Sequence, residues 1–409
     1  MLLKTFEKIK DLNKDTQNLM FAFWLFDFGQ NITKLFLNVF VYLKTESFLF
    51  LIIFNAIFFT GCLFGFVIVG YLVAQLRVLM RYHFLVSFAV FFLSFILLTF
   101  SQDSNAILLL FAFLNGLGLG MFWVGMHSFE MVYTHNSSRD FYSSMRTVGS
   151  QIITILAPLF ATFSFIISEK YLKIDSFKLL FIILPSLFVF ALPFVFKMSD
   201  FLPEKIEWSR VKNLLIKKKS NQIRLMYLFD SVEWVSLTIL IPFIALYSLK
   251  TVVNIGFFEA LIGIISIIAT IILSHLRNSE NRSTHLFYGV IGLFFAYSLL
   301  FWFDLSIYVY IVYSLTRLFF NPIWNIPLHS IHLASVEYLK QTDDSCFYAE
   351  LLYRDFMLWV GRIINVFVIG LIFYFVQSDV VAVKASLILL LFLLLLKWYF
   401  ARKVDVLIK

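Results

Sequence analysis

A chain of 409 residues that is 61% hydrophobic, 14% charged and carries a net charge of +8 is far from a soluble domain, for which about 45–50% apolar and about 25% charged is usual. Apolar runs of about 20 residues, each enough to cross a hydrocarbon core, recur from end to end; they give an all-α integral membrane protein and exclude a barrel of short alternating strands. The positive charge is spread over the loops, so nucleic acid is not an expected partner.

Residues 1–18 contain lysines but no apolar core followed by a small-residue cleavage site, and no removable signal peptide is expected. About twelve spans follow, at 19–43, 47–73, 82–101, 106–132, 142–168, 177–198, 223–248, 253–276, 284–303, 306–332, 349–377 and 379–401. The polar, basic segment 199–222, with Lys205, Arg210, Lys212 and Lys217-Lys218-Lys219, divides them six and six. The expected organisation is an N-terminal bundle over 1–198, a cytoplasmic linker over 199–222 and a C-terminal bundle over 223–409. Lys and Arg crowd the segments that an inside amino terminus places in the cytoplasm, so both termini are expected there, with the protein in the plasma (inner) membrane. Cys62 lies in a span and Cys346 in a loop, which makes a structural disulfide unexpected.

Polar residues inside the spans carry the functional signal, because an ionisable group near a bilayer centre costs from about 2.5 kcal/mol upward unless partnered or hydrated. On the first span Asp27, Asn31, Lys34 and Asn38 share one helical face. One reading is a cavity wall in which Asp27 takes a proton or cation and Lys34 meets an anion; the other is that Lys34 pairs with an acid on another span and fixes packing. On the fourth span Gly116, Gly120, Trp123, His127 and Glu130 fall on one face. The glycines form a small-xxx-small pair, a close helix contact. Trp123 could flank a ligand and His127 could titrate near neutral pH, although both residue types are common in packing.

Glu130, Arg139, Asp140 and Arg146 flank the loop between the fourth and fifth spans, and Glu350 and Arg354 open the eleventh. Charges at the inner mouth of both halves suit an inner gate, with Glu130, Arg139, Arg146, Glu350 and Arg354 as its members; interfacial snorkelling is the alternative. Asp230 and Glu233 enter the seventh span at the depth where Asp27 and Gln30 enter the first. A buried acid there can load and release a proton, Glu233 being the better placed; Glu259 in the eighth span is a third candidate. On the tenth span Tyr310, Tyr313, Arg317, Asn321 and Trp324 share a face broken by Pro322 and Pro327. Arg317 suits carboxylate or phosphate recognition through its planar fork, or else forms a permanent ion pair with Glu233 or Asp27. Asp355 and Arg362, seven apart, suit a local pair.

The two halves repeat weakly. Leu25-Phe26-Asp27 answers Leu228-Phe229-Asp230, Leu76-Arg77 answers Leu276-Arg277, and His127-Ser128 answers His329-Ser330, at an offset of about 200 residues. With six spans, a basic central loop, six more spans and glycine-rich fourth and tenth regions, the chain resembles the major facilitator superfamily, in particular its uncharacterised bacterial members around Phe129–Gly149. The loop after the second span departs from the family pattern: Gly70-Tyr71-Leu72-Val73-Ala74-Gln75-Leu76-Arg77 lacks the usual acid and second glycine, and Arg77 and Arg81 are displaced.

The resemblance implies two pseudo-symmetric six-helix bundles rocking about a cavity lined by spans one, four, seven and ten. The expected function is a secondary active transporter of a small anionic or zwitterionic organic solute, coupled to protons and monomeric. Its cavity residues would be Asp27, Asn31, Lys34, Trp123, His127, Asp230, Glu233, Arg317, Asn321 and Trp324. The alternatives are an exporter of amphipathic compounds and a receptor or scaffold that kept the fold and lost the cycle. No phosphate loop, HExxH, paired CxxC or GxSxG is present, so no cofactor, metal or enzymatic activity is expected.

Overall fold

The computed structural model describes residues 12–100, 104–134, 136–203, 205, 209, 212–213, 221–275, 282–343 and 347–408. They form twelve long helices: α1 Lys14–Thr45, α2 Phe48–Gln75, α3 Met80–Phe100, α4 Asn105–Tyr133, α5 Asn136–Ile167, α6 Ser176–Phe196, α7 Asn221–Leu249, α8 Val252–His275, α9 Arg282–Trp302, α10 Ile307–Asp343, α11 Phe347–Phe375 and α12 Asp379–Ile408. Among the described residues nine of these are long and apolar enough to cross a bilayer, and α8 adds the shorter apolar stretch Val252–Ile268. The remaining two are α1 and α10, whose polar stripes, Asp27 to Asn38 and Tyr310 to Asn321, dilute their apolar character. Arg210, Lys217-Lys218-Lys219 and Cys346 lie outside the described residues, as do the side chains of Arg139, Asp140 and His329.

The helices group into two compact units, Met1–Phe40 with Ile57–Ile206, and Val41–Ala56 with Glu207–Lys409. In the first unit α3 packs on α4 and α6 around a phenylalanine core, where Phe26 stacks on Phe122 at 3.4 Å and Phe91 on Phe188 at 5.0 Å. The closest approach is between α2 and α4. A Cβ on Gly116 would lie 2.0 Å from the Phe58 carbonyl oxygen, and one on Gly120 would lie 2.3 Å from that of Cys62. The contact is reciprocal, since Gly61 and Gly65 face the carbonyls of Phe113 and Leu117 at 2.3 and 2.1 Å in the same sense. Backbones approach this closely only where neither helix carries a side chain. Gly65 lies in Phe64–Val69, where α2 widens to π-helical bonding.

A polar latch closes one end of this unit. Arg81 donates its backbone N–H to Asp200 Oδ1 at 3.0 Å, and its guanidinium reaches the Met198 carbonyl at 3.3 Å. The Tyr133 hydroxyl donates to the Ser199 carbonyl, while Thr16 and Asn13 donate to the Tyr133 carbonyl at 3.1 and 3.2 Å. Asp15 accepts the Ser199 N–H at 2.8 Å. Arg81 and Asp200 thus tie α3 to the end of α6, and Ser199 and Tyr133 bring in α4 and α1.

In the second unit α7 packs against α11 and α12, and α9 against α10 and α12. Here too helices meet closely at a glycine: a Cβ on Gly361 of α11 would lie 2.1 Å from Ser231 Oγ and 2.4 Å from the Leu228 carbonyl oxygen of α7. Val41–Ala56 is held in this unit by Tyr42, whose hydroxyl donates to Asp379 at 3.1 Å, and by Phe48, which stacks on Phe373 at 3.9 Å.

Candidate functional site

Each unit holds a cluster of in-span charges built around its first and fifth helices, and the two clusters share a pattern. In the first unit α1, α4 and α5 meet at Arg146. Its guanidinium donates to both oxygens of Glu130, at 3.0 and 3.1 Å, and lies 5.1 Å from the centre of the Phe23 ring. His127 Nδ1 is 3.6 Å from the same carboxylate, and the His127 ring stacks on Trp123 at 5.3 Å. Trp24 donates to the Arg146 carbonyl at 3.4 Å, and Gly149, one turn on, leaves room for the Trp24 indole.

Asp27 lies within the field of Arg146 and of Lys34, beside Ser150. Its Oδ1 accepts from the Asn31 amide at 3.0 Å, whereas its Oδ2 is buried without a hydrogen-bond donor. Lys34 thus acts on an acid of its own helix, two turns earlier. Glu130 and Arg146, expected at an inner gate, bond to each other within one unit and form one cluster with Asp27, Trp123 and His127. That pairing joins the last turn of α4 to the third turn of α5, across the short connection between them.

The second cluster joins α7, α10, α11 and α12 at Lys397. This ammonium is 4% exposed. It lies 2.7 Å from Asp230 Oδ1, donates to Glu233 Oε2, and sits 5.2 Å from the Trp324 ring centre. His332 Nε2 approaches Asp230 Oδ2 at 4.0 Å, and Arg362 contributes to the field at Asp230 while lying 5.0 Å from the Trp234 ring centre. The parallel with the first unit is close. In each, an arginine of the fifth helix of the unit covers an aromatic residue of the first and acts on its aspartate: Arg146 with Phe23 and Asp27, Arg362 with Trp234 and Asp230. Below this level Asn365 donates to the Val232 carbonyl and to Ser236 Oγ at 2.6 and 2.7 Å, fixing α11 on α7.

A third group lies on α8, α9 and α10. Arg317 is surrounded electrostatically by Tyr313, Tyr297, Glu259 and Tyr310. Tyr310 donates to Glu259 Oε1 at 3.1 Å, and the Tyr310–Tyr313 and Tyr297–Tyr313 rings are 5.8 and 5.9 Å apart. The alternative of a permanent ion pair between Arg317 and Glu233 is corrected: Glu233 bonds Lys397, and among the described residues Arg317 has no carboxylate within 4.0 Å. Asn321, expected in the cavity, accepts from Asn325 of its own helix at 2.8 Å. At the start of α11, Arg354 donates to the adjacent Asp355 at 3.2 Å, and Glu350 is 1% exposed and acts, with Arg354, on Tyr227.

Lys397 was not legible as a site residue. It follows the leucine-rich run Leu390–Leu396 and precedes Trp398, a pattern that reads as an interfacial anchor. The available signal was an excess: two acids three residues apart on α7 with no cation on their own helix face to balance them.

Comparison with known proteins gives the family. No curated protein matches the sequence. Among solved structures, the nucleoside transporter NupG superposes with a TM-score of 0.68 at 9% identity, over 95% of this chain and 98% of that one. A bacterial homolog of the human lysosomal transporter Spinster, in an inward-facing and occupied conformation, gives 0.66 at 10% identity over 95% and 96%. A structure concerned with substrate recognition in proton dependent oligopeptide transporters gives 0.64 at 12% identity over 96% and 97%. Identities this low carry the fold alone. A sequence-family model described as Major Facilitator Superfamily matches residues 14–336, most of the chain, and the chain belongs to that superfamily of multi-pass membrane transporters.

Proposed function

We propose that the protein is a secondary active transporter that moves a small organic solute with an anionic or zwitterionic group and couples that movement to protons through Asp230 and Glu233. The observation that carries the reading is that one buried ammonium, Lys397, is shared between these two carboxylates. Charge in a low-dielectric interior is tolerated only when matched. When one carboxylate takes a proton, the lysine settles on the other, and the two helices that carry these groups, α7 and α12, lose part of their mutual anchorage. Proton occupancy then biases the packing of the unit, which is what an alternating-access carrier requires of a coupling site.

Arg317, whose guanidinium lacks a carboxylate partner among the described residues, suits the anionic group of the solute; Lys34 and Asp27 with Asn31, Trp123 and His127 are the first-unit candidates, and Trp324 and Asn321 the second-unit ones. The bundles 1–198 and 223–409 would rock about the linker 199–222 in the plasma (inner) membrane, as a monomer with both termini in the cytoplasm. The charged ends of α4, α5 and α11 (Glu130, Arg139, Arg146, Glu350, Arg354) would rearrange at the inner mouth.

A thermal-shift screen of amino acids, short peptides, nucleosides and carboxylates on the purified protein supplies the solute for the test. In proteoliposomes an imposed pH gradient should accumulate the best hit, and Glu233→Gln should lose the accumulation while keeping solute exchange at equilibrium. Gradient-driven accumulation at the unaltered level in that variant would remove Glu233 from coupling.

A further inference from the structure

The α7 carboxylates form a cation site that is already filled. Asp230 and Glu233 are three residues apart and so share a helix face. Both reach the Nζ of Lys397, and the Trp324 indole, itself fully buried, closes the site over the ammonium. Two carboxylates and an aromatic face are what a monovalent cation or a small organic ammonium would need, and the 26% exposure of the Asp230 side chain leaves a way in. An entering alkali ion must displace a group that is covalently tethered to the same protein and therefore present at high effective concentration. A proton needs no vacancy. It adds to one carboxylate oxygen, and the lysine remains on the other.

We infer that Lys397 sets the ion selectivity of this carrier, admitting protons to the Asp230–Glu233 pair and excluding alkali and organic cations. It acts through the two carboxylates and is a positioning residue for them. The inference rests on the reading of that pair as the coupling site. The other charged and titratable groups that face the pair are His332 of α10 and Arg362 of α11, on the Asp230 side, and Tyr297 of α9 and Tyr313 of α10, on the Glu233 side. None of these presents an ammonium to both carboxylates at once.

The test uses the purified full-length protein and needs no solute. Melting temperatures are measured in NaCl, KCl, methylammonium chloride and choline chloride at equal ionic strength, and bound radiolabelled sodium is counted on the immobilised protein. The unaltered protein and Lys397→Arg should melt alike in all four salts. Lys397→Ala should melt lower in choline and regain a saturable part of the loss in sodium or methylammonium, with sodium retained on the beads. Linkage requires such a shift whenever a ligand binds only the folded state. Adding Asp230→Asn and Glu233→Gln together should abolish the cation response.

Should Lys397→Ala fail to fold, Lys397→Ala/Asp230→Asn buries one carboxylate fewer, and Glu233 should still confer the cation response. A lysine-free variant indifferent to the cation, or an unaltered protein that already responds to sodium, overturns the inference. Failure of the coupling reading is distinct: it would be seen as gradient-driven uptake surviving in Glu233→Gln, whatever the cation response of the Lys397 variants.

Discussion

Gly116→Ala is expected to lower the melting temperature of the purified protein by several degrees and to reduce its recovery from detergent as a monodisperse species. The sign is opposite to the local expectation. In an isolated helix alanine is favoured over glycine by about 1 kcal/mol, so the substitution would stabilise α4 on its own. The added Cβ, however, would lie 2.0 Å from the Phe58 carbonyl oxygen and 3.0 Å from the Cys62 nitrogen. Both are backbone atoms of α2, and no rotamer can relieve the overlap. The helices must separate, and forced repacking costs about 1–3 kcal/mol where only a side chain has to yield, more where a backbone does. Gly61→Ala and Gly65→Ala, on the opposing surface, should behave alike because they meet the Phe113 and Leu117 carbonyls. Gly29→Ala is the control. Its Cβ would meet only the tip of the Phe188 ring, at 3.3 Å, and its melting temperature should stay near that of the unaltered protein. A Gly116→Ala variant as stable as Gly29→Ala would show that α2 and α4 are not in backbone contact.

That contact illustrates what sequence could and could not disclose. The pair Gly116 and Gly120 was visible as a spacing, and its meaning as a close helix contact followed from helical geometry. Its partners Gly61 and Gly65 have the same spacing, but which glycine pair meets which is a tertiary fact. The π-helical widening at Phe64–Val69 was equally hidden, since nothing in the run Phe64-Gly65-Phe66-Val67-Ile68-Val69 distinguishes it from an ordinary apolar turn. Helix number was legible because each span must satisfy its own backbone in lipid, whereas helix ends were not. α10 runs to Asp343, well beyond the apolar limit at 332, and α12 to Ile408 rather than 401. Hydropathy marks where the bilayer ends, and helices continue past it.

The candidate sites show the same division. Asp27, Asp230, Glu233 and Arg317 stood out because a charge in an apolar run demands an explanation from the run alone. Their partners did not stand out, because partnership depends on helix packing. Arg146 reads as flanking a loop and Lys397 has no distinguishing sequence signal, yet packing of α5 on α1 and of α12 on α7 brings both inward. The weak repeat between the halves was the one sequence feature that anticipated tertiary pairing. Asp27 and Asp230 do occupy equivalent helices and do each lie in the field of an arginine from the fifth helix of their unit. The repeat did not extend to Lys397, which has no counterpart among the residues described around Asp27. The second unit has thus acquired a feature that the first lacks, and coupling and solute binding need not be shared equally by the two.

Arg146→Met should be more destabilising than any single change to its acidic partners, and Asp27 is the reason. Removing one member of a buried ion pair leaves an uncompensated charge and costs about 3–5 kcal/mol. The side chains of Arg146 and Glu130 are 23% and 16% exposed, so residual screening puts the loss near the lower figure. Glu130→Gln leaves one cation that still has Asp27 within its field; Arg146→Met takes the guanidinium from two carboxylates at once, leaving, among the described residues, Glu130 only His127 and Asp27 only the more exposed Lys34. Substituting both members of the pair, as Arg146→Met/Glu130→Leu, should recover most of the stability lost in Arg146→Met, because an apolar replacement of a buried pair is often neutral. Recovery should remain incomplete until Asp27→Asn is added. With Asp27→Asn alone added to these five proteins, the coupling is read from thermal melts as the difference between the effect of Asp27→Asn in the unaltered protein and in the double variant. If the double variant already melts with the unaltered protein, Asp27 draws its charge balance from Lys34, and α1 carries a self-sufficient pair rather than one end of a network reaching α4 and α5.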